Sequence, residues 1–400
     1  MQHIQKASIF VNMNTFENTE IAFKSKSDKD LQRAYWLFKI VGNPSMVKFG
    51  KSATNFAIKN KLPIKGIIKK TIFKQFCGGE TIDECSLTIE TLGKFGIGTI
   101  LDYSIEGKTS DEDFNHTTNE IISTILKGKN SNNIPFAVFK VTGIARFEIL
   151  EKANDLKNEL SEKEKIELND VINRIDSICK SAFENNVPVF IDAEETWIQD
   201  TIDRIAVDMM MKYNKENALI YTTAQMYRHD RYEYLKTEIT KAKELNYHFG
   251  IKLVRGAYME KERERAEKNN YPSPIQPNKE ATDKDFNLAL ELLINSIENV
   301  SICAGTHNEE SSDFLTQLLK KNSISKNDKR IYFAQLLGMS DHISYNLSFN
   351  DYNVAKYVPY GPIEEVLPYL LRRADENTSV AGQTSRELNL ITKERNRRKN

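Results

Sequence analysis

Two adjacent arginines near the end of the chain offer its most distinctive chemistry. Arg372 and Arg373 stand in the segment Tyr369-Leu-Leu-Arg-Arg-Ala-Asp-Glu-Asn377, where Glu376 shares their helical spacing. Two neighbouring guanidinium groups form a planar set of donors that suits a carboxylate or a phosphate. On spacing alone the alternative is a solvated charged face, in which either arginine pairs with an acidic residue that follows it.

Charged side chains also stand where apolar segments should end. Lys140 lies inside one such segment and Asp192 at the end of the next, so the two either form a structural ion pair or contribute to a site. Further along, Lys252 and Arg255 precede Gly256, where the absence of a side chain lets a ligand approach the backbone closely. The alternative for this second group is an ordinary turn after a strand.

Other polar and aromatic positions complete the candidate set. Tyr258 would supply an aromatic wall beside the glycine turn, Gln225 and Tyr357 follow further apolar segments, and Thr306-His307-Asn308 ends another. A lone histidine is more often structural than a ligand, and the histidines and cysteines lack the spacing of a metal site. We therefore expect no metal.

Eight short apolar segments alternate with helical patterns and must position these candidates. The apolar segments are Gly98–Tyr103, Phe136–Val141, Val187–Asp192, Ala218–Thr223, His248–Val254, Val300–Ala304, Ile331–Gln335 and Asn353–Tyr357. The helical segments are Asn119–Leu126, Glu162–Asn185, Ile198–Tyr213, Tyr232–Leu245, Ala281–Ile297, Ser311–Lys321, a short one after Gly338, and Ile363–Asn377. Apolar strands separated by helices predict a parallel sheet, and eight repeats favour a closed (β/α)8 barrel over an open doubly wound sheet. In a barrel, the C-terminal ends of the strands carry the chemistry.

The remaining segments predict an N-terminal appendage and a tail. Residues 1–95 predict a helical N-terminal region, and residues 96–400 predict the barrel domain with its C-terminal tail. The charge-rich segment Glu260–Asn270 predicts an exposed loop or a helix extension. The basic segment Lys393–Lys399 predicts a solvated chain end, with contact to anionic lipid as the alternative.

Composition excludes several classes of function. Hydrophobic residues make up 40% of the 400 positions, enough for a large core, and 56 basic residues balance 56 acidic ones. A chain without net charge has no long-range field to attract a nucleic acid, so we expect no nucleic-acid partner. Four scattered cysteines form neither a disulfide framework nor a zinc site.

The expected location is the cytoplasm. No apolar run approaches the ~18 residues of a transmembrane helix. The opening residues lack an apolar core and the first arginine is Arg33, so neither a secretory nor an organelle leader is expected. We expect a soluble cytoplasmic protein that can lie against the inner face of the membrane.

The motifs resemble those of the proline dehydrogenase (proline oxidase) family. The resemblance runs from about Gly98 to Asn377 and is most specific in Leu253-Val-Arg-Gly-Ala-Tyr258, Gly305-Thr-His-Asn308, Phe333-Ala-Gln-Leu-Leu-Gly-Met339, Tyr357-Val-Pro-Tyr-Gly361 and Tyr369–Asn377. It implies a distorted (β/α)8 barrel that binds FAD, oxidises L-proline to 1-pyrroline-5-carboxylate by hydride transfer to flavin N5, and passes electrons to a quinone at a membrane surface. We expect a monofunctional enzyme with no stable protein partner.

The resemblance also implies roles for single residues. The catalytic residues would be Lys140, Asp192, Lys252, Tyr357, Arg372 and Arg373. The substrate-binding residues would be Ala257, Tyr258, Leu336, Tyr369 and Glu376. The FAD-binding residues would be Ala193, Gln225, Lys252, Val254, Arg255, Gly256, Ala257, Thr306, His307 and Asn308. Both arginines would clamp the proline carboxylate, and Lys252 stands where bacterial members often have arginine, which keeps the charge but loses the planar fork.

Three other interpretations stay open. A Schiff-base barrel aldolase would use Lys140 as its nucleophile and would be colourless. A non-catalytic barrel that acts as an interaction module would bind no flavin. Hydroxyproline would be the substrate if small changes in the residues that wall the ring favoured it.

Overall fold

The structure is a computed structural model that describes residues 16–59, 65–105, 109–379 and 383–400. Within these ranges, the side chains of residues 44, 51, 54–59, 373–379 and 383 are outside the description. The opening residues, from which the absence of a leader was argued, lie outside it as well.

Eight parallel strands form a closed barrel in which each strand pairs with the next along the chain. The strands are β1 (Ile97–Tyr103), β2 (Phe136–Lys140), β3 (Val189–Asp192), β4 (Ile220–Gln225), β5 (Phe249–Val254), β6 (Val300–Gly305), β7 (Ile331–Leu336) and β8 (Val354–Tyr360). β8 pairs with β1 over its whole length, from Ile97 opposite Val354 to Tyr103 opposite Tyr360. The predicted (β/α)8 barrel is therefore confirmed, its strand bounds differ from the prediction by at most three residues, and the open sheet is excluded.

Aromatic side chains fill the interior of the barrel near the N-terminal ends of the strands. The ring of Phe136 stacks on that of Phe190 with centroids 4.4 Å apart, and Tyr221 and Tyr332 contact it edge-on. A second and larger apolar layer lies between the strands and the surrounding helices. Because these rings occupy the interior, a ligand must bind above them, at the C-terminal ends of the strands.

Helices cover the outside of the barrel. Before β1 lie Thr19–Ala22, Asp28–Val41, Pro44–Lys59, Lys65–Ile68, the π-helical turn Lys69–Phe73, Lys74–Phe76 and Ser86–Gly93. After β1 lie Asp111–Lys129, the 3-10 turn Val141–Gly143, Phe147–Asn154, Glu162–Asn185, Thr196–Tyr213, Arg231–Glu244, Met259–Lys268, Lys279–Asn295, Glu309–Lys321, Asp341–Phe349, Ile363–Ser379 and Gln383–Arg397. All eight helical segments predicted from the sequence are present. Helix Glu162–Asn185 has its predicted bounds because Ser161 and Glu164 form a capping box and Asn186, at φ 52°, ends it in the left-handed region.

Among the described residues after β1, three α-helices lie outside the eight helical segments predicted from the sequence. Phe147–Asn154 follows β2, and Met259–Lys268 forms where an exposed loop or helix extension was expected. Glu262 on the second of these helices is fully buried, because its carboxylate accepts hydrogen bonds from the Thr196 backbone N–H at 2.7 Å and hydroxyl at 2.6 Å. The third, Gln383–Arg397, includes most of the segment Lys393–Lys399 that was predicted to be a solvated chain end; Lys393 and Arg397 are exposed as expected, but they lie on a helix.

The last helix packs against the N-terminal helices. Leu390 and Ile391 are buried in one apolar cluster with Leu31 and Phe38 of the helix Asp28–Val41. A periodic apolar face on each helix drives this contact, since neither face would be covered without the other. The two ends of the described chain therefore form one layer on the outside of the barrel.

Leu390→Ala should lower the free energy of unfolding by about 2–4 kcal/mol, because it leaves a cavity in this buried cluster. Urea denaturation of the variant measures the loss. The matched control is Leu156→Ala, since Leu156 is 80% exposed and its truncation should change stability by less than about 0.5 kcal/mol. Equal stability in both variants would show that the last helix does not pack as described.

Candidate active site

A cavity of about 870 Å³ lies at the C-terminal ends of the strands. The predicted site residues that line it are Lys140, Asp192, Ala193, Gln225, Lys252, Val254, Arg255, Gly256, Ala257, Tyr258, Thr306, His307, Asn308, Leu336, Tyr357, Tyr369 and Arg372. Arg373 and Glu376 lie on the helix Ile363–Ser379, but their side chains are outside the description. Every predicted site residue with a described side chain therefore reaches the same cavity.

Asp192 joins the charged groups on one wall of the cavity. The strand register pairs it with Lys140, whose Nζ lies 3.5 Å from Asp192 Oδ2. Lys252 of β5 donates a hydrogen bond to Asp192 Oδ1 and another, 2.6 Å long, to the hydroxyl of Tyr357. One carboxylate thus contacts two ammonium groups, and the hydroxyl of Tyr357 also donates to it, at 3.4 Å from Asp192 Oδ1.

The charged residues of this cluster determine one another's protonation states. Burial opposes ionisation of Asp192, but the ammonium groups of Lys252 and Lys140 outweigh it and lower the pKa of the aspartate. Burial also opposes protonation of Lys140, but the carboxylates of Asp102 and Asp192 outweigh it and raise the pKa of the lysine. Burial and the Asp192 charge raise the pKa of Tyr357 well above its ordinary value. At neutral pH the cluster therefore holds an ionised aspartate, a protonated Lys140 and a neutral phenol.

Asp102 belongs to this site and was not singled out from the sequence. It lies in β1, lines the cavity, is buried, and accepts a 2.7 Å hydrogen bond from the hydroxyl of Ser104. The signal that identified Asp192 was present here too, because Asp102 is a charged residue near the end of an apolar strand. The same rule applied to β1 would have found it.

The turn after β5 needs both its glycine and its arginine. Gly256 has φ 130°, and a Cβ at this position would lie 2.5 Å from the ring of Tyr227. Arg255 is held from three sides, with Nε 2.6 Å from Asp283 Oδ1 and a terminal nitrogen 2.6 Å from the Thr306 hydroxyl. The third contact is a 2.9 Å hydrogen bond to Ser311 Oγ. This turn is therefore a built feature of the site rather than an ordinary strand end.

Gln225 connects the loops that follow β3 and β5. Its amide donates to the Glu194 carbonyl at 2.7 Å, and its oxygen accepts from the Ala257 N–H at 3.2 Å. The loop after β6 is fixed in a similar way, because Nδ1 of His307 lies 2.9 Å from Ser340 Oγ. These polar contacts set the shape of the cavity wall.

Helix Ile363–Ser379 supplies the wall beside β8. Tyr369 and Arg372 of this helix line the cavity together with Leu336 at the end of β7. Tyr369 and Leu336 share an apolar cluster with the buried Leu370, so the apolar face of the helix points into the fold. This packing places Arg372 at the wall of the cavity.

Residues from both chain ends close one side of the cavity. Arg386 Nε lies 2.8 Å from Glu309 Oε1, and its NH2 lies 2.5 Å from Glu17 Oε1. His342 Nε2 is 2.9 Å from the same Glu309 oxygen, and Glu387 accepts a hydrogen bond from the backbone N–H that follows Met339. The partners of Glu309 come from two distant segments, so no local pattern in the sequence could have indicated this group.

Glu194 is a buried carboxyl beside the site, and its protonation should affect stability. It accepts a 3.0 Å hydrogen bond from the Thr142 backbone N–H, and burial raises its pKa from an ordinary 4.5 to about 7. Between these two values the folded protein holds a proton that the unfolded chain has released. The contribution of Glu194 to the free energy of unfolding is therefore fully present below pH 4.5 and is lost as the pH rises through about 7.

Glu194→Gln should remove this pH dependence. We expect the stability of the wild type, relative to the variant, to fall by about 2–3 kcal/mol between pH 5 and pH 8. Urea denaturation of both proteins at the two pH values measures the difference. The control is Glu233→Gln on an exposed helix face, and parallel pH profiles for wild type and Glu194→Gln would contradict the assignment.

Comparison with known proteins now decides the family. The family described as proline dehydrogenase matches residues 85–386. The chain belongs to the proline dehydrogenase family. Proline dehydrogenase 1, mitochondrial, of Dictyostelium discoideum is 34% identical over 427 residues, which cover 95% of this chain and 74% of the relative. The hydroxyproline dehydrogenase of Xenopus laevis is 29% identical over 412 residues, which cover 94% of this chain and 88% of that protein.

A solved proline utilization A protein shares the fold. The structure of PutA from Bdellovibrio bacteriovorus inactivated by N-propargylglycine superposes with a TM-score of 0.72 at 20% sequence identity. The match covers 90% of this chain and 38% of PutA, so the chain spans well under half of that larger protein. At this identity the likeness concerns the barrel and its helices.

The predicted cytoplasmic location, including the inner face of the membrane, is wrong. The Dictyostelium member of the proline dehydrogenase family is named a mitochondrial protein. The prediction was based on the composition of the first residues, and composition there does not determine the compartment. Among the helices that the structure describes, none combines the length and the apolar character needed to cross a membrane.

Proposed function

We propose that this member of the proline dehydrogenase family oxidises L-proline to 1-pyrroline-5-carboxylate with FAD as its cofactor and a quinone as the final acceptor. The observation that carries the proposal is that Arg372 and the cluster of Lys140, Asp192, Lys252 and Tyr357 line one cavity. Cationic groups beside apolar walls suit a small molecule with a carboxylate and an apolar ring. Family membership supports the same reaction.

Arg372 and Lys140 bind the substrate carboxylate. The guanidinium of Arg372 offers two parallel donors, which orient a carboxylate as well as attract it. Lys140 stays protonated beside Asp102 and Asp192, and it therefore adds a second cation for the same group. We assign the second guanidinium of the clamp to Arg373.

Apolar and aromatic groups surround the substrate ring. The proposed ring contacts are Ala257, Tyr258, Leu336, Tyr357 and Tyr369. We propose that Glu376 orients one arginine of the clamp. Tyr357 is held in position by Lys252 and Asp192. A fixed ring wall keeps water from the reacting carbon and restricts the substrate to one orientation.

The substrate amine must lose its proton before the reaction. The nitrogen lone pair drives departure of hydride from the neighbouring ring carbon, and an ammonium group has no lone pair to give. The cations Lys140, Lys252 and Arg372 lower the pKa of a bound amine, since like charges disfavour its protonated form. Asp192 does not accept this proton, because its own pKa is lowered. Its role is to position the two lysines and the tyrosine.

The described residues fit FAD. Gly256 lines the cavity, Arg255 and Lys279 offer cations for a pyrophosphate, and Gln225 and His307 offer polar atoms for the flavin ring. The other proposed contacts are Ala193, Lys252, Val254, Ala257, Thr306 and Asn308. When bound, FAD supplies the hydride acceptor and carries the redox chemistry.

The visible spectrum of the purified protein, before and after anaerobic addition of L-proline, tests the proposal. We expect a flavin absorption band in the blue that bleaches when proline is added. A colourless protein would contradict the cofactor assignment and would fit a non-catalytic barrel. A yellow protein whose flavin absorption does not change when proline is added would contradict the assignment of L-proline as the substrate.

Hydroxyproline is the second candidate substrate, because the Xenopus laevis relative is named a hydroxyproline dehydrogenase. The hydroxyl of Tyr357 is already bound by Lys252, so an added substrate hydroxyl at that wall would compete for the same donor. We therefore expect a higher kcat/KM for L-proline. Steady-state rates with both substrates decide between them.

The Schiff-base aldolase is disfavoured by the electrostatics of Lys140. A lysine nucleophile must be neutral to attack a carbonyl. The carboxylates of Asp102 and Asp192 act against this, because they raise the pKa of Lys140 against the effect of burial. Failure of borohydride to trap a carbonyl substrate on the protein is the expected result.

A further inference from the structure

A lysine that is closed off from solvent lies directly behind the cavity wall. Lys356 is 0% exposed, and it precedes Tyr357 in β8, whose side chain lines the cavity. Successive side chains of a strand point to opposite faces, so Lys356 points away from the cavity and toward the layer outside the barrel. Burial of a cation is costly unless the cation is paired and hydrogen-bonded. No step of the proposed reaction uses Lys356, so the reason for this costly burial must lie in what its ammonium group contacts.

The ammonium group of Lys356 holds the loop that follows β7 (residues 337–340, called the β7 loop below). Its Nζ donates to the carbonyl oxygen of Leu336 at 3.3 Å and to that of Met339 at 2.5 Å. It also lies 2.8 Å from Oδ1 of Asp341. An ammonium group has three hydrogens, and these three oxygens match them. One side chain thus holds the residue before the loop, a residue within it and the residue after it.

The β7 loop has a backbone conformation that its surroundings must support. Gly338 and Ser340 have φ of 76° and 49°, and a serine in the left-handed region is disfavoured unless other contacts hold it there. Gln75 of an N-terminal helix donates a 2.9 Å hydrogen bond to the Gly338 carbonyl, and Glu387 of the last helix accepts one from the Ser340 N–H. Lys356 adds the contacts that come from the barrel itself.

This loop and the end of β7 form part of the wall proposed for the substrate ring. Leu336, Met339 and Ser340 all line the cavity. Leu336 packs against the interior cluster that contains Tyr357 and against a second cluster that contains Tyr369. Leu336 and the two tyrosines are proposed contacts of the ring, so a shift of the β7 loop would change the width of the space between them.

We propose that Lys356 determines the ring size that the site accepts, because it fixes Leu336 and the β7 loop against Tyr357 and Tyr369. Its side chain does not line the cavity, so Lys356 is a positioning residue that acts through the loop. The proposal rests on the proposed function, in which Leu336 contacts the substrate ring. A wall that cannot give way discriminates about 10- to 200-fold between ligands that differ by one methylene group.

A merely stabilising ion pair between Lys356 and Asp341 is the alternative. Burial lowers the pKa of Lys356 and the Asp341 carboxylate opposes this shift, so the pair helps to keep the lysine charged. Buried pairs often add little stability over apolar residues of similar volume, however, because both charges lose their hydration. Asp341 also has a second partner in Lys26, whose Nζ lies 3.4 Å away. The two carbonyl oxygens that Lys356 holds therefore explain its burial better than the pair alone.

Equilibrium binding of two cyclic acids tests the proposal. Tetrahydro-2-furoate has a five-membered ring and tetrahydropyran-2-carboxylate a six-membered ring, and both lack the ring nitrogen that oxidation requires. Titration calorimetry gives their dissociation constants, and the larger acid should bind the wild type about tenfold more weakly or worse. In Lys356→Met, which keeps an unbranched apolar chain but loses the ammonium group, this ratio should fall to about 2–3, because the released loop gives way to the larger ring. A wild-type ratio in Lys356→Met, or equal binding of both acids to the wild type, would overturn the proposal.

Two further variants separate positioning from stability. Lys356→Met/Asp341→Asn removes both charges of the pair, so it should recover part of any lost stability while the ratio of dissociation constants stays low. A ratio that returns to the wild-type value would contradict the role of Lys356. Arg231→Met is the matched control, because it removes the cation of another buried ion pair, 2.8 Å from Asp203, and neither residue lines the cavity. Its ratio should equal that of the wild type, and a lowered ratio there would show that loss of any buried pair has this effect.

The rate of L-proline oxidation, measured on the same proteins, separates this proposal from the proposed function. A wild type that prefers the smaller acid, loses this preference in Lys356→Met and does not oxidise L-proline would refute the proposed function alone. A wild type that oxidises L-proline, with an unchanged binding ratio in Lys356→Met, would refute the role of Lys356 alone. A wild type that binds neither acid would also refute that role, whatever its activity with L-proline.

Discussion

Arg372→Ala is expected to raise the KM for L-proline about 10- to 100-fold while the protein keeps its flavin. Hydrogen bonds to a charged partner are worth about 1.5–3 kcal/mol each, and alanine removes the guanidinium that is proposed to hold the carboxylate. Arg372 lines the cavity but lies on a helix held by its own apolar face, so the fold should survive. Steady-state kinetics with a soluble acceptor measure KM, and the absorption spectrum reports the flavin content.

Two further variants show whether geometry or charge matters at this position. Arg372→Lys keeps the cation but loses the planar pair of donors, so its KM should lie between those of wild type and Arg372→Ala. Arg395→Ala is the control. Arg395 lies on the last helix, where its guanidinium packs over the ring of Tyr35, and it does not line the cavity. A KM for Arg372→Ala close to that of the wild type would remove Arg372 from the proposed clamp.

Asp192→Asn is expected to lower the free energy of unfolding by about 3–5 kcal/mol. The substitution removes the counter-charge of two ammonium groups, and one of them, on Lys252, is 4% exposed. Leaving a buried charge without its partner is among the most costly single changes in a protein. Urea denaturation at neutral pH measures the loss. The rate of proline oxidation should fall as well, because Lys140 and Tyr357 lose the group that positions them.

A second buried carboxyl provides the control for Asp192→Asn. Asp313 is 5% exposed and accepts a 2.6 Å hydrogen bond from Gln317, and burial raises its pKa. Asp313→Asn should cost about 1 kcal/mol or less, because a neutral amide can keep that hydrogen bond. The double change Asp192→Asn/Lys252→Met should restore part of the lost stability. If the stability losses of the single variants Asp192→Asn and Lys252→Met simply add in the double variant, the charge of Lys252 does not depend on Asp192.

The barrel could be predicted because its signal is local. Each strand is a short run of apolar residues that ends at a polar one, and each helix has a periodic face and, in cases such as Glu162–Asn185, a cap at both ends. Short loops and the strong preference for right-handed crossovers then leave few ways to arrange eight such repeats. The polar residue at each strand end also indicated most of the site, including Lys140 and Asp192.

The remaining parts depend on contacts between distant segments. The helix Gln383–Arg397 has few apolar residues, and its buried pair Leu390 and Ile391 finds apolar partners among residues 22–38, more than 350 positions earlier in the sequence. Glu262 looks like a surface residue in the sequence because its partner, Thr196, begins a different helix 66 residues earlier in the chain. Arg386 and Glu17 likewise meet only in the folded protein. Local patterns cannot indicate pairs of this kind.

The contact between the helix Gln383–Arg397 and the N-terminal helices has a consequence for the synthesis of the protein. Arg398 donates hydrogen bonds to the carbonyl oxygens of Phe23, 375 residues earlier, and of Lys26. A nascent chain leaves the ribosome N-terminus first, so the helix Asp28–Val41 has no cover on this face until the helix Gln383–Arg397 has been synthesised. Until then its apolar side chains are open to chaperones and to aggregation. Because the helix Gln383–Arg397 follows β8 in the sequence, this layer is completed only after all eight strands have been synthesised.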